Sequence, residues 1–298
     1  MSVPVLVNAG GGTARGLGDR CAGEVEKAFA AAGLSVEVRM LPGEAIGAAA
    51  AALADRALVV VGGGDGTLGS AAGELARGGA ALGILPLGTR NHLARELGVP
   101  LDLGAAAKLI AARPIRRIDL ARANGRAFVN NASIGAYPEL VEERDRRDAP
   151  KWLATLPATW AVLKRLRHHR LRLTLAGREQ PVLTPLLFVG NNRYALDAGR
   201  LGAREALDDG VLCVFAVAAK RRRDLVGFAL RTVMGRADPQ RDFALIGDTA
   251  ELTVDGHPAS VAVALDGEVT RLPLPLRFTV EPGALGVVAP LEGDGATA

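Results

Sequence analysis

A run of leucine and valine residues that ends in four glycines around one acid constrains this chain more than any other segment. Leu58–Val61 predicts a buried strand, and Gly62–Thr67 predicts a tight loop before a helix. Glycines in such a loop let a ligand approach the main chain closely. Successive main-chain N–H groups at a strand-to-helix turn also form a concavity that binds anions. The first hypothesis is therefore a phosphate site.

The loop differs from the two commonest phosphate loops. No Lys-Ser or Lys-Thr pair follows the glycines, as it does in a Walker A loop, and their spacing is not that of a Rossmann dinucleotide loop. Asp65, inside the loop, would repel a phosphate directly. It is better explained if it holds Mg²⁺ through water or bonds to neighbouring amides. The alternative without function is a tight turn with a left-handed aspartate.

Strands and helices alternate through the first part of the chain, which predicts a parallel sheet with helices on both faces. The predicted strands are Val3–Val7, Ser35–Leu41, Ala57–Val61 and Ala81–Leu85. Ligands bind such sheets at the carboxyl ends of the strands. Three strands end in glycine-rich or polar loops, which should lie along one edge of the sheet: Asn8–Thr13, Gly62–Thr67 and Pro86–His92.

The pattern changes near residue 115, beyond which antiparallel strands are predicted. Asn124-Gly125, between two apolar runs, indicates a hairpin. Further strands are predicted at Leu171–Leu175, Val182–Val189, Val211–Val217, Thr249–Val254, Ser260–Leu265 and Leu276–Glu281. We therefore expect an α/β domain at 1–124 and a mainly antiparallel β domain at 125–291, whose last strands are free to return to the first domain. Residues 292–298 are expected to form a frayed tail.

Composition limits the partners without selecting one. The 298 residues carry a formal charge of +4, which suits a nucleotide, a polyphosphate or an acidic membrane surface. Cys21 and Cys213 are far apart, which favours two reduced thiols in a cytoplasmic protein. Met1–Pro4 lacks the basic start of a secretion signal, and no apolar run approaches the roughly 20 residues that span a bilayer. We expect a cytoplasmic protein that associates at most peripherally with a membrane.

Three further segments each have a functional and a structural interpretation. Thr89 and Asn91, in the loop after the fourth strand, would contact a ligand or cap a helix. Asp208-Asp209-Gly210 would hold Mg²⁺ through a carboxylate and main-chain carbonyls, or would form a solvated turn. Asp266-Gly267-Glu268 would supply a general base for a hydroxyl nucleophile, or only a hairpin turn. The residues alone leave all three open.

Two basic runs, Lys164–Arg170 and Lys220–Arg223, would dock on anionic lipid headgroups or form ordinary solvated faces. Apolar residues at helical spacing follow the second run. They fit a helix that lies on a membrane and equally a helix that packs on the β domain.

Taken in order, four segments resemble the motifs of bacterial diacylglycerol-kinase-type lipid kinases: Gly63–Thr67, Pro86–Asn91, Asp208–Gly210 and Asp266–Glu268. That family also contains sphingosine and ceramide kinases, and the resemblance spans residues 3 to 290. It implies a nucleotide-binding α/β domain related to those of NAD kinases and phosphofructokinases. It also implies a C-terminal β-sandwich for the lipid, with the active site in the cleft between the two domains.

The resemblance assigns roles to individual residues. Glu268 would be the general base on the lipid hydroxyl, and Asp65 and Asp119 would join an acidic network. A structural Mg²⁺ would be held by Asp209 and by the carbonyls of Ala206 and Val211. ATP would be contacted by Asn8, Gly63, Gly64, Asp65, Gly66, Thr67, Leu68, Gly69 and Thr89.

Two positions depart from the family pattern. The first loop reads Asn8-Ala-Gly-Gly-Gly12 where the family has Asn-Pro-x-Ser-Gly, so a serine contact is missing. His92 stands where many members carry Asp, and an imidazole does not replace a carboxylate beside Mg²⁺. We therefore expect a smaller acidic network in this chain.

The sequence thus predicts an ATP- and Mg²⁺-dependent kinase that phosphorylates a lipid hydroxyl, with diacylglycerol or a related lipid as the substrate. A membrane lipid is the expected partner; nucleic acid is not, and a homodimer is left open. One alternative is a kinase of a soluble hydroxylated substrate. The other is a catalytically weak regulator that binds nucleotide or lipid.

Overall fold

The computed structural model describes residues 2–135, 168–194, 204, 206–217 and 243–291. Its contacts divide the chain into two compact units. The first comprises Met1–Leu120, Ala127–Asn130 and Glu281–Ala298. The second comprises Ala121–Arg126 and Asn131–Val280.

The first unit contains a parallel sheet with the strand order β2-β1-β3-β4. These strands are β1 (Val3–Asn8), β2 (Val36–Leu41), β3 (Leu58–Gly63) and β4 (Ala81–Pro86). The helices are α1 (Gly12–Leu17), α2 (Cys21–Ala31), α3 (Gly43–Ala51), α4 (Asp65–Gly78), α5 (His92–Glu96) and α6 (Leu103–Ala112). A short 3₁₀ turn, Gly18–Arg20, precedes α2.

Strands β1, β3 and β4 are buried on both faces, which explains why they are almost continuously apolar, whereas the edge strand β2 exposes Glu37 and Arg39. Val5 and Val60 pack in a cluster with Phe29 of α2 and Ile110 of α6. The alternate strand residues, such as Val59, are fully buried as well. Since neighbouring strand residues point to opposite faces, helices must cover both sides of the sheet, as predicted.

The second unit consists of antiparallel strands in two sheets. One has the order β12-β11-β10-β7-β14-β15, and the other contains β9, β8, β13 and the first part of β16 (Leu276–Val288). The strands that lie in this unit are β7 (Asn131–Gly135), β8 (His169–Leu175), β9 (Arg178–Thr184), β10 (Leu186–Asn191), β11 (Leu212–Val217), β12 (Phe243–Thr249), β13 (Glu251–Gly256), β14 (Ser260–Leu265) and β15 (Glu268–Pro273).

Glycine-containing turns join three of the hairpins, one of them at Ala176 and Gly177 between β8 and β9. Asn124 and Gly125 have φ values of 46° and 81° and join β5 (Ile115–Ala123) to β6 (Arg126–Phe128). Asp266 and Gly267 do the same between β14 and β15, with φ values of 48° and 90°. Two successive positive φ values define the turn that matches the twist of a hairpin. The hairpin at 124–125 is therefore confirmed.

The last strand is longer than its sequence pattern indicates. β16 (Leu276–Val288) begins beside β13 in the second unit and ends beside β4 in the first. Its middle contains Gly283, whose φ of 58° is held by tertiary hydrogen bonds. The predicted end at Glu281 is therefore wrong.

The predicted fold class is confirmed: an α/β unit with a mainly parallel sheet precedes an antiparallel β unit. Strand β12 was not predicted. The basic run 220–223 lies outside the described residues, and of the run 164–170 only 168–170 lie within them. Among the described residues, no helix is long and apolar enough to cross a membrane.

Candidate active site

The three predicted loops meet in the first unit at the carboxyl ends of β1, β3 and β4. A Cβ atom built on Gly88 would lie 2.3 Å from the Cα of Gly64. One built on Gly12 would lie 2.8 Å from the carbonyl oxygen of Leu87. Main chain therefore packs directly on main chain, and neither glycine has room for a side chain. The prediction that these loops share one edge is confirmed.

Asn8 links the first loop to the start of α4. Its Nδ2 donates to Oγ1 of Thr67 at 2.9 Å, and its Oδ1 accepts the N–H of Gly10 at 3.0 Å. Thr67 is buried, with 6% of its surface exposed. Asn8 thus orders both loops although the serine that is usual in the family is absent.

Asp65 binds the main chain of another loop. Its two carboxylate oxygens accept the N–H groups of His92 at 3.1 Å and Leu93 at 2.9 Å, at the beginning of α5. A carboxylate at a helix N-terminus stabilises the fold by about 0.5–2 kcal/mol. Of the three interpretations of Asp65, this geometry matches the one in which it bonds to amides, and Asp65 is not among the described residues with a left-handed conformation.

His92 is exposed, and the contact with Asp65 uses only its main-chain N–H. Any residue other than proline supplies that group. The change from acid to histidine therefore leaves this contact intact.

Asn91 organises the loop after β4 from a left-handed conformation with φ of 51°. Its Oδ1 accepts the N–H of Gly88 at 3.0 Å, and its Nδ2 donates to the carbonyls of Pro86 and Gly88, both at 3.1 Å. Its side chain does not cap α5, because Asp65 does so instead. Thr89, in the same loop, is exposed.

The N-terminus of α4 presents the main chain of the central glycine loop. Gly64 is the N-cap and has no side chain to bond to the first turn. The first helical amides, from Gly64 to Thr67, have no partner within the helix, and the helix dipole is positive there. By contrast, the N–H of Leu68 donates to the carbonyl of Gly64 at 3.0 Å, and the side chain of Leu68 is fully buried. Gly69 is buried in the second turn. The arrangement can bind an anion at Gly64–Thr67, whereas Leu68 and Gly69 lie in the body of the helix.

Asp119 is also bound to main chain. It is 1% exposed, and its Oδ1 accepts the N–H of Gly283 at 2.8 Å. Arg117 donates to the carbonyl of the same glycine at 3.2 Å. Within the described ranges, no three His, Cys, Asp or Glu side chains come together as a metal site would require. Asp65 and Asp119 thus each bond to backbone amides.

In the second unit, Glu268 is the first residue of β15, directly after the Asp266-Gly267 turn. The N–H of Asn131 donates to Oδ1 of Asp266 at 3.1 Å, and the N–H of Asp266 donates to the carbonyl of Asn131 at 2.9 Å. The turn that carries Glu268 is therefore fixed from both sides. Glu268 is exposed as a residue, yet partial burial of its carboxyl raises its pKa above the ordinary value.

The predicted magnesium loop precedes β11 in the same unit. Asp209 is exposed, and the carbonyl of Val211 accepts the N–H of Asn192 at 2.8 Å. The side-chain amide of Asn192 is fully buried and has no hydrogen-bond partner among the described residues, so a polar group beside the loop is available to a water molecule. A carboxylate, the carbonyls of Ala206 and Val211 and several waters form the oxygen set that Mg²⁺ takes. The donor set therefore fits this ion, with Arg193 close to Asp209 as a competing positive charge.

Asp209 and Glu268 flank strands at the same end of the six-stranded sheet. Between β11 and β15 lie four strand spacings, which amount to roughly 19 Å. An ion at Asp209 would thus be remote from Glu268, as a structural ion would be.

Comparisons with known proteins bear on the whole chain. The diacylglycerol kinase catalytic domain matches residues 2–123, and the YegS C-terminal NAD kinase beta sandwich-like domain matches residues 142–289. A probable lipid kinase YegS-like protein of Pseudomonas aeruginosa is 36% identical over 244 residues, which cover 78% of this chain and 77% of that protein. The chain belongs to the YegS-like lipid kinase family. A relative from Pseudomonas syringae pv. tomato with the same description is 32% identical over 244 residues, with 78% and 75% coverage.

Solved structures extend the likeness to the fold of this chain. A putative diacylglycerol kinase from Bacillus anthracis str. Sterne superposes with a TM-score of 0.71 at 24% identity and covers 97% of this chain and 95% of its own. A second structure from the same strain gives a TM-score of 0.67 at 22% identity, with 97% coverage of each chain. At this identity the likeness concerns the fold alone.

The chain contains residues near its candidate sites that sequence patterns did not reveal. Arg193 contacts both Asp209 and Asp248. Asn131 braces the Glu268 turn, and its Nδ2 also reaches the hydroxyl of Tyr194 at 3.5 Å. No local spacing marks these side chains, because their partners lie on other strands.

Proposed function

We propose that this protein is an ATP- and Mg²⁺-dependent lipid kinase that transfers the γ-phosphoryl group to a lipid hydroxyl, with diacylglycerol or a related lipid as acceptor. The proposal rests on the glycine loop at the N-terminus of α4, which packs directly against the other two loops. Membership of the YegS-like family supports the reaction class.

In this proposal the nucleotide phosphates bind the main-chain amides of Gly64, Gly66 and Thr67. Side-chain-free loops allow the close approach that such contacts need, and the helix N-terminus favours negative charge. Asn8 and Asp65 hold the loops in place through their hydrogen bonds. Thr89 is exposed beside them and remains a proposed nucleotide contact.

Glu268 is the proposed general base. The lipid hydroxyl oxygen attacks the γ-phosphorus, the bond to the leaving ADP oxygen breaks, and the hydroxyl proton passes to the Glu268 carboxylate. Burial raises the pKa of the Glu268 carboxyl, and a raised pKa makes its carboxylate a better proton acceptor. Bound Mg²⁺ would neutralise part of the phosphate charge, as phosphoryl transfer generally requires. Asp209 with the carbonyls of Ala206 and Val211 would hold a separate structural ion.

We also propose that the protein meets its substrate peripherally at a membrane surface, because a lipid hydroxyl is presented there. Cosedimentation with vesicles that contain anionic lipid tests this step separately from catalysis. Binding that disappears with vesicles of neutral lipid would support electrostatic docking, and absence of binding to both would contradict it.

The experiment that tests the function is incubation of the protein with γ-labelled ATP and a fractionated lipid extract. The expected result is label in an organic-extractable product, with diacylglycerol as the first purified acceptor to try. Label in a water-soluble product would instead indicate a soluble hydroxylated substrate. ATP binding without transfer to any fraction would indicate a nucleotide-binding regulator.

A further inference from the structure

Arg193 joins two carboxylates beside the predicted magnesium loop. Its Nε donates to Oδ2 of Asp248 at 2.7 Å, and its Nη1 lies 3.4 Å from Oδ2 of Asp209. The side chains of Asp209 and Asp248 are 25% and 29% exposed, and that of Arg193 is 45% exposed. One guanidinium thus faces the single carboxylate among the predicted metal ligands.

The position of Arg193 is fixed by its neighbours on the chain. The preceding residue, Asn192, is fully buried, and its N–H donates to the carbonyl of Val211 at 2.8 Å. Asp248 lies opposite Cys213 in the pairing of β12 with β11. Both the main chain of Arg193 and its stronger partner are therefore anchored to the start of β11.

The charges at this loop decide how a cation would bind. Mg²⁺ keeps several waters and is held here by one carboxylate and two carbonyls, so Asp209 supplies the only formal negative charge of that set. A guanidinium 3.4 Å from the same carboxylate neutralises part of that charge and repels a divalent ion. Asp248 is the closer partner, so Arg193 has an anchor at this loop that is separate from Asp209.

We propose that Arg193 is a built-in counter-ion of the Ala206–Val211 loop. Arg193 holds this loop in place without metal, and it competes with a divalent cation for Asp209. The second unit of this chain then folds without Mg²⁺ and binds it weakly at this loop. The inference deepens the magnesium site of the proposed function, but it does not depend on the substrate or on turnover.

The test is thermal unfolding of the full chain in EDTA and with increasing Mg²⁺. For the wild type, Mg²⁺ is expected to change Tm by less than about 1 °C. Arg193→Gln should lower Tm in EDTA by about 1–4 °C, as the loss of a partly exposed ion pair predicts. Mg²⁺ should then restore it. Arg172→Gln, an exposed arginine of β8 in the same unit, is the matched control and should leave the Mg²⁺ response unchanged.

Direct cation binding sharpens the test. Mn²⁺ affinity, measured by titration calorimetry, should rise about tenfold in Arg193→Gln relative to the wild type. The gain should disappear when Asp209→Asn is added. If Arg193→Gln is unfolded in EDTA, recovery of its fold with excess Mg²⁺ supports the proposal, and failure to recover overturns it.

Equal cation affinity in the wild type and Arg193→Gln would overturn the inference, as would a gain that survives Asp209→Asn. None of these readouts uses phosphoryl transfer. A protein without lipid kinase activity would therefore contradict the proposed function while leaving this inference standing, and the converse also holds.

Discussion

Asp65 in the first unit and Glu268 in the second both follow a glycine turn, yet the two acids are held in opposite ways. Both oxygens of Asp65 accept main-chain N–H groups. The side-chain carboxylate of Glu268 accepts no hydrogen bond within the described part of the chain, and burial alone raises the pKa of this carboxyl. The carboxylate of Asp65 is fixed to the main chain, whereas that of Glu268 is not, which suits the general base proposed above.

The same contrast extends to the surrounding residues. In the first unit, Asn8 and Asn91 bond to loop atoms, and glycines make the contacts between the loops. In the second unit, Asp209 and Arg193 are partly exposed side chains in a charged cluster. We conclude that the first unit presents main chain, as anion binding requires, and that the second presents side chains.

The largest effect that separates the two regions is expected for Glu268→Gln. The side-chain amide that this substitution introduces cannot accept the hydroxyl proton. Phosphoryl transfer should therefore fall by about 10²–10⁴-fold, the usual contribution of a general base. ATP affinity should stay at the wild-type value, because the phosphates bind the other unit in this account. Labelled transfer and equilibrium ATP binding measure the two quantities. Wild-type turnover by this variant would exclude Glu268 as the base.

The pH dependence follows from the raised pKa of Glu268. The base must be ionised, so kcat/KM should fall about tenfold for each pH unit below that pKa. Because the pKa is raised, the acid limb should lie above the value of about 4.3 for an ordinary glutamate. The residual activity of Glu268→Gln should lack this limb. An identical limb in that variant would assign the titration to another group.

Gly88→Ala tests the packing of main chain on main chain. The added methyl group would lie 2.3 Å from the Cα of Gly64, so the loops must separate. We expect a loss of about 1–3 kcal/mol in unfolding free energy, typical of overpacking, and a clearly weaker ATP affinity. Gly16→Ala in α1 is the control, since no atom lies within 4 Å of its added methyl group. Normal ATP binding by Gly88→Ala would show that the phosphates bind elsewhere.

The smallest predicted effects concern stability, and they compare a variant of Asp65 with a variant of His92. Asp65→Ala removes the acceptor for two amides of α5 and should lower stability by about 1–2 kcal/mol. His92→Ala keeps the main-chain N–H and should change it by less than about 0.5 kcal/mol. Urea unfolding of both variants provides the comparison. A larger loss for His92→Ala would mean that the imidazole itself has a structural role.

Local patterns predicted the fold because each has a local cause. The valine run of β3 indicates a strand that is buried on both faces, and Asn124-Gly125 indicates a turn that needs positive φ. The pattern failed at Pro282-Gly283, which resembles a strand end. There the N–H of Gly283 donates a hydrogen bond to Asp119, which is 164 residues away in the sequence, and β16 continues.

The candidate site was predictable to a similar extent. The glycines that bring the three loops together could be located, since strand order places those loops at one edge of the sheet. The partners of Asp65, 27 and 28 residues distant, could not, because they depend on how two loops pack. Arg193 was missed for the same reason: its carboxylates, Asp209 and Asp248, belong to other segments.

The central claim is that the first unit binds the ATP phosphates and that Glu268 of the second unit acts as the base. The most direct test measures ATP affinity and lipid phosphorylation on the same preparations of the wild type, Gly88→Ala and Glu268→Gln. Gly88→Ala is expected to bind ATP clearly more weakly and to lose transfer in parallel. Glu268→Gln is expected to keep ATP binding and to lose only transfer. Transfer at the wild-type rate by Glu268→Gln, or wild-type ATP affinity in Gly88→Ala, would contradict this claim.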